Sequence, residues 1–406
     1  MRFLDSRSRP FKRVDRRKNI LKMRNTSCLR LCLTIMTVTG VWLPTALKCS
    51  HLRYIYYIFA FMYHLLFVLP IIYMEFGVLY QVLGNIEQMA NTSLLLVTHI
   101  AQCVKICVMW YKQDEIHSLL VTLDSSTFTR EDSNKKQILK DVIQTTYTVS
   151  KVFISLVVIT GIFWGIYPML KPTLDLPIQY PNIPPEYKIF PFVYLYQIVN
   201  LTITAIAIAS IDFLVGASMA LVSAEMDILS YELSLVGKIN KKDDKGNTDI
   251  KRDYVIIISC VEFHENIIKF VKDLEKIFGF PVFFQFFTSA IIICETAFRI
   301  TNSTETIELL AMVLYFMCII TELLMYCYYG DLLKRKSERV VEMAYCCNWE
   351  NTDVRTQRAL LLLMQRAQRT LVLRAGNMFE LSMMTFSAIL KTSYTYFTVL
   401  NERRKA

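Results

Sequence analysis

Long apolar runs alternate with short segments rich in Lys and Arg along the whole chain. A membrane helix needs about 20 mostly apolar residues at a rise of about 1.5 Å each. Seven stretches meet that length, at roughly 54–79, 89–111, 146–170, 190–222, 277–300, 307–330 and 379–400. An eighth run, Leu29–Leu47, is shorter, carries Arg30 and is broken at Trp42-Leu43-Pro44, so it reads as an interfacial or re-entrant helix. The expected fold class is therefore all-α, a polytopic membrane protein with seven transmembrane helices. The expected organisation is a basic arm with an interfacial helix over 1–53, spans one to four over 54–222 and a loop with a helix over 223–276. Spans five and six follow over 277–330, then a polar segment over 331–378 and the last span with its tail over 379–406.

Charge orients these spans. With a cytoplasmic N-terminus, the inner segments 1–53, 112–151, 223–276 and 331–378 hold 37 of the 45 Lys and Arg residues, and the outer segments hold 6. Basic residues concentrate in short cytoplasmic segments, and an odd number of spans then puts the C-terminus outside. Asn302-Ser303-Thr304, a glycosylation acceptor pattern with Asn302 as the candidate, falls in an outer loop on this topology. The charged stretch 240–252 has no apolar run and reads as a mobile cytoplasmic loop. Residues 1–24 carry ten basic side chains and precede an apolar run longer than a signal core, with no clear cleavage site. They read as a topogenic arm or as a patch for anionic headgroups of membrane lipid.

Composition narrows the class. Of 406 residues, 54% are hydrophobic and 20% charged, with mean hydropathy +0.35, against about 45–50% apolar and about 25% charged in ordinary soluble chains. The net charge of +10 flanks apolar runs, which fits membrane topology and not a nucleic-acid surface. None of the eleven Cys falls in an expected outer loop, so free thiols in lipid-facing or cytoplasmic positions are expected, with no metal site. There is no phosphate loop, dinucleotide fingerprint, zincin helix or nucleophile elbow, so neither a catalytic site nor a cofactor is expected. His264-Glu265 opens like a zincin but lacks the second His and lies in an amphipathic stretch, His264–Phe278.

Two regions carry candidate chemistry. The last span has hydroxyl residues at 387, 392, 393, 394, 395, 396 and 398, and Lys391 lies near its middle. Ala388, Thr392, Thr395, Val399 and Glu402 share one helical stripe. That stripe suits a water-filled pathway narrowed by a hydrophobic ring, and hydroxyls of this kind also serve as interhelical hydrogen bonds. The loop between spans three and four holds seven of the eleven prolines, from Pro168 to Pro191, and should be stiff. It lies over span ends carrying Phe163, Trp164, Tyr167, Tyr194, Tyr196 and Gln197. An aromatic cavity under a stiff lid is one reading and an interfacial aromatic belt is the other. Gly161-Ile-Phe-Trp-Gly165 is a GxxxG pattern, which favours close helix packing over a ligand contact. Asp212, roughly 33 Å along the fourth span from Phe190, is expected near the cytoplasmic headgroups.

Several motifs, in order and spacing, resemble one family. They are Cys327-Tyr-Tyr-Gly330-Asp-Leu-Leu, Ala344-Tyr-Cys-Cys-Asn-Trp349, Leu363-Met-Gln-Arg366-Ala-Gln, Phe379-Glu-Leu-Ser382-Met-Met-Thr-Phe386 and Lys391-Thr-Ser-Tyr394-Thr-Tyr396-Phe-Thr-Val-Leu400. The chain resembles the insect odorant receptors over nearly its whole length, most strongly from about 255 to 400. Gly40-Val-Trp42-Leu-Pro44 resembles the family's Gly-x-Trp-Pro element with one extra residue before Pro, and the stretch from His264 to Phe270 resembles the one before the fifth span.

The resemblance implies an inverted seven-helix subunit of an odorant-gated, non-selective cation channel, assembled as a tetramer in the plasma membrane of olfactory neuron dendrites. It implies that the last helix lines the pore, with Val399 at the gate position. It places a small volatile ligand in the outer half of each subunit, and Met312 and Tyr315 fall at the depth of its pocket positions in span six. The co-receptor shared across the family has a longer loop before span five, so the resemblance implies an odour-tuned subunit paired with that co-receptor. The related gustatory receptors carry Gln-Phe where this chain has Glu402-Arg403. A gustatory-type channel and a G-protein-coupled receptor are the alternatives.

Overall fold

The computed structural model describes residues 25–48, 50–84, 86–125, 133–170, 176–178, 185–238, 250–303 and 305–405. The basic arm over 1–24, most of the proline-rich loop and most of the charged stretch 240–252 lie outside the described residues. The helices are α1 (Arg30–Val38), α2 (Leu52–Tyr63), α3 (Leu69–Gln81), α4 (Ile86–Tyr111), α5 (Gln113–Leu123), α6 (Ser133–Ile166), α7 (Phe190–Ser234), α8 (Ile250–Asn302), α9 (Thr306–Tyr345), α10 (Val354–Ala367) and α11 (Met383–Lys405). Six stretches are long and apolar enough to cross a membrane, the first formed by α2 and α3 together. The seventh span is α11, whose 23 residues reach about 35 Å and whose hydroxyls lower its hydropathy. The protein is an all-α, seven-helix membrane protein.

Burial ranks the spans. In α7, 83% of the most apolar window is buried, against 17% in the α2–α3 span. A helix apolar on every side belongs in the middle of a bundle, and α7 packs against α6, α8, α9 and α1. The α2–α3 span turns Ile55, Ile58, Phe61, Leu66 and Tyr73 outward, as a lipid-facing helix does. At nine residues, α1 rises about 14 Å and is too short to span. It buries Cys32 and Met36 instead, and Tyr56 donates to Thr37 O and Trp42 O at 2.9 and 2.8 Å, clamping the turn after α1 onto α2.

Several helices overrun their expected ends. The apolar runs stop near residues 222 and 330, yet α7 continues to Ser234 and α9 to Tyr345. Helix α8 begins at Ile250, well before the apolar run that opens at Ile277. The reason is a change of pattern from apolar throughout to amphipathic. In α8, Ile257, Cys260, Phe263, Ile267, Phe270, Leu274 and Ile277 are buried at three- and four-residue spacing, while Glu262, Glu265, Lys269, Lys272 and Asp273 are exposed. His264 is buried on this helix. Helix α10, capped by Asp353 through Thr356 N at 3.2 Å, packs on these extensions of α8 and α9.

Lipid offers no hydrogen bonds, so irregular backbone inside it needs protein partners. Pro70 has no N–H to return to Leu66 O, and the chain just before it, His64–Val68, is a π-turn. Side chains of α7 bond to this stretch: Tyr196 donates to Leu66 O at 2.6 Å and Asn200 donates to Phe67 O. No described cysteine is in a disulfide. Cys294, Cys318 and Cys327 within the spans are buried, where lipid-facing thiols were expected, and Cys28, Cys32, Cys260 and Cys347 outside the spans are buried too. The small thiol packs well in a tight core, and burial pushes the Cys28 thiol up to about 12 and that of Cys32 up to about 11.

A short antiparallel hairpin, β1 (Arg374–Ala375) with β2 (Phe379–Glu380), precedes α11. It turns at Gly376 and Asn377, both at positive φ, and Gly376 N donates to Gly279 O of α8 at 2.8 Å. Directly after it the chain presses on α9, where a Cβ built on Gly330 would lie 2.5 Å from Leu381 O. Backbone cannot yield as a side chain does. Gly330→Ala should therefore destabilise the protein by about 1–3 kcal/mol and lower its thermal midpoint in detergent. Gly216→Ala meets only side chains, Met325 at 3.0 Å and Tyr329 at 3.4 Å, and should lower it less.

Candidate functional site

A cavity opens among α4, α6, α7 and α9, with about 870 Å³ of space free of protein atoms, its mouth included. Its walls are mainly apolar, among them Leu95, Phe153, Val157, Ile198, Leu201 and Ile319. Pro177, from the described part of the proline-rich loop, closes one end. Most wall polar groups are spent on one another. The Thr98 and Tyr315 hydroxyls are 2.6 Å apart, and Thr160 Oγ1 donates to Leu156 O at 2.8 Å and lies 3.2 Å from Cys318 Sγ.

The other end is charged. Lys105 Nζ of α4 lies 2.5 Å from Asp212 Oδ1 of α7 and 2.8 Å from Glu322 Oε1 of α9. The Tyr326 hydroxyl donates to the same Asp212 oxygen at 2.7 Å. All four side chains are buried, and Asp212 and Glu322 line the cavity. One ammonium thus joins three helices. Buried ions are held only by close partners, and removing one member of such a group costs about 3–5 kcal/mol. Beside it, His99 Nδ1 lies 2.9 Å from the Glu75 carboxylate, tying α3 to α4, and His99 also lines the cavity.

Of the residues expected from sequence, Gly161, Trp164 and Tyr315 line this cavity. The Trp164 and Tyr315 rings meet edge to face with centroids 6.0 Å apart. Gly161 also packs the helices, since a Cβ there would lie 2.7 Å from Thr202 Oγ1 of α7. Tyr194 and Gln197 lie outside the described lining and act on backbone. Tyr194 donates to Gly165 O at 2.6 Å. Gln197 accepts from Ile178 N at 3.0 Å and donates to Ile178 O at 3.1 Å, fixing the lid to α7. Met312 is buried but does not border the cavity.

On α11, Ala388, Thr392, Thr395, Val399 and Glu402 are all exposed, so the stripe faces away from the subunit's own bundle. Lys391 is exposed beside it, and Ser393 on the opposite face donates to Ala290 O of α8 at 3.0 Å. Asn302 is the last residue of α8, and Thr304 of its acceptor pattern lies outside the described residues.

Asp212 differs from expectation. It is wholly buried among helices, bonded to Lys105 and Tyr326, and α7 continues beyond it to Ser234. Lys105, Glu322 and His99 escaped the reading of the sequence. The available signal was depth. Lys105 falls in the second half of span two and Glu322 in the second half of span six, two spans that run in the same direction.

The family profile described as 7tm Odorant receptor matches residues 85–394. Odorant receptor 2a of Drosophila melanogaster is 26% identical over 212 residues, 51% of this chain and 53% of that protein. The chain thus spans about half the length of that curated relative. Odorant receptor Or1 of Anopheles gambiae is 23% identical over 403 residues, 91% of this chain and 93% of that one. The structure of the insect olfactory receptor OR5 from Machilis hrabei in complex with eugenol superposes with a TM-score of 0.79 at 16% identity, covering 92% of this chain and 97% of that one. With a seven-helix bundle, a buried cavity and a profile match over most of its length, this chain belongs to the insect odorant receptor family.

Proposed function

We propose that this chain is the odour-tuned subunit of a ligand-gated cation channel, paired with the shared co-receptor in the plasma membrane of olfactory neuron dendrites. A small volatile molecule occupies the cavity, and its binding depolarises the membrane. The observation that carries this reading is the path from cavity to α11. Glu322 lines the cavity, Tyr326 one turn along α9 holds Asp212, and Gly330 one turn further touches Leu381 at the base of α11. A shift of α9 at the cavity is thereby felt where α11 begins. The related OR5, solved with eugenol, supports a small organic ligand for this fold.

The stripe of α11 supports the conducting role. It is polar apart from Ala388 and Val399, and it faces away from the subunit's own bundle. A ring of Val side chains at a narrow point expels water and stops ions, and carboxylates at the mouth favour cations. Assembly draws support from α10, where Leu361 and Leu362 are 65% exposed outside the spans. Apolar side chains there are better covered by another subunit than by water.

With a cytoplasmic N-terminus and an outer C-terminus, a C-terminal epitope should stain on intact cells and an N-terminal one only after permeabilisation; the reverse would reject the topology. Trp164→Ala and Tyr315→Ala should each change the order of effective odorants with surface expression kept, and an unchanged order in both would place the pocket elsewhere. Val399→Ser should raise current without odorant, and only partly when co-receptor subunits keep their own gate. Glu402→Gln should lower divalent-cation permeation or block, more at low salt, where screening is weaker. Unchanged currents in both variants would remove this face from the pore.

A further inference from the structure

The cavity's polar groups show what kind of molecule it is built to receive. Among the described lining residues, two fully buried side-chain polar atoms have no hydrogen-bond partner: Asp212 Oδ2 and Trp164 Nε1. Every described hydroxyl named in the walls is paired, and His99 is held by Glu75. Asp212 Oδ1 is doubly engaged, by Lys105 at 2.5 Å and Tyr326 at 2.7 Å, while its second oxygen takes no donor. A buried acceptor left without a donor is costly, and Asp212 is among the residues that line the cavity.

We propose that the preferred ligands are small, mainly apolar molecules carrying a hydroxyl or amine hydrogen that donates to Asp212 Oδ2. Trp164 Nε1–H is the second anchor, for an acceptor atom elsewhere on the molecule. The two anchors lie at different depths. Trp164 meets Tyr315, and Tyr315 lies two turns before Glu322 on α9, about 10 Å along the helix. A ligand engaging both is therefore extended, with its donor at the deep end and its acceptor nearer Pro177. This inference rests on the cavity being the odorant site. It adds that the site selects by hydrogen-bond sense as well as by apolar shape.

The test uses the full chain with the co-receptor and measures half-maximal concentrations for matched sets on one carbon skeleton: the alcohol, the primary amine and the methyl ether. The alcohol or the amine should act at a concentration roughly tenfold or more below the ether, the ratio expected for a hydrogen bond to a charged group. Their comparison shows whether a neutral or a cationic donor is preferred. Asp212→Asn places an NH2 group where an oxygen stood, so it should narrow or invert the alcohol-to-ether ratio. Trp164→Phe keeps a ring and removes the N–H. It should leave the alcohol-to-ether ratio in place and weaken ketones relative to the matching hydrocarbons.

An ether as potent as its alcohol on the unaltered protein would overturn the proposal, and would mean that a proton shared with Glu322 already satisfies Asp212. A wild-type ratio retained by Asp212→Asn would overturn it as well. If Asp212→Asn gives no surface protein, the unaltered protein and Trp164→Phe still decide. A different failure marks the underlying reading. If Trp164→Phe and Trp164→Ala both leave every ranking untouched, the cavity itself is not where odorants act.

Discussion

The ammonium of Lys105, held between the carboxylates of Asp212 and Glu322, is the contact on which the centre of the bundle turns. Bringing charged groups out of water into the middle of a membrane protein costs several kcal/mol for each. The charges stay there because they lie within hydrogen-bond distance and because Tyr326 adds a further donor to Asp212. The result is directional. Apolar helices in lipid have little reason to prefer one register over another, since lipid chains are as apolar as leucine. A bond of 2.5 Å between α4 and α7 and another of 2.8 Å between α4 and α9 remove that freedom. The pairs Ser93–Glu295 and Glu75–His99 do the same for α8 and α3.

The same rule of internal satisfaction explains the irregular parts. Pro70 frees the carbonyl of Leu66, which Tyr196 of α7 meets, and Asn200 of the same helix donates to the neighbouring Phe67 O. Gln197, within one turn of both and on the same helix, meets both backbone groups of Ile178 in the lid. Helix α7 is therefore the molecule's supplier of polar partners as well as its most buried helix. Three of its residues within five positions were read in the sequence as pocket material or passed over, and all three serve backbone. The distinction is physical: a polar side chain in lipid is drawn first to an unmet carbonyl, and only what remains unspent is available to a ligand.

Much of the fold was legible because the membrane simplifies the code. Seven apolar runs gave seven spans, and the short run at Leu29–Leu47 gave a non-spanning α1. The overruns of α7, α8 and α9 were not, because apolar length ends where charges begin, whereas a helix ends only when its backbone pattern does. The buried stripe of Ile257, Cys260, Phe263 and Ile267 was present in the sequence, but as a 3.6-residue period and not as a run. The hairpin Arg374–Glu380 offered only two residues per strand, too few for any alternation to show. The aromatic half of the cavity, Trp164 and Tyr315, could be named from sequence. Its charged half required knowing that residues 105, 212 and 322 face one another, and a single sequence records depth but not rotation.

The chain of contacts from cavity to α11 also bounds what one ligand can do. Driving a two-state element from 1% to 99% populated requires a differential affinity of about 5.5 kcal/mol between its states. A hydrogen bond to a charged group contributes about 1.5–3 kcal/mol, and only the part that differs between closed and open arrangements counts. On the proposed reading, one bond at Asp212 would therefore be too weak to open a firmly closed gate. The remainder has to come from apolar surface that the cavity walls cover more fully in one state, at about 25 cal/mol per Å², or from occupancy of more than one subunit. An apolar cavity ending in a fixed ion group is suited to that division. On the proposed reading the ion cluster would fix where the ligand sits, and the apolar walls would supply the surface whose burial differs between states. Because α9 carries both Tyr315 at the cavity and Gly330 against Leu381, motion of that wall and motion at the base of α11 belong to one rigid element.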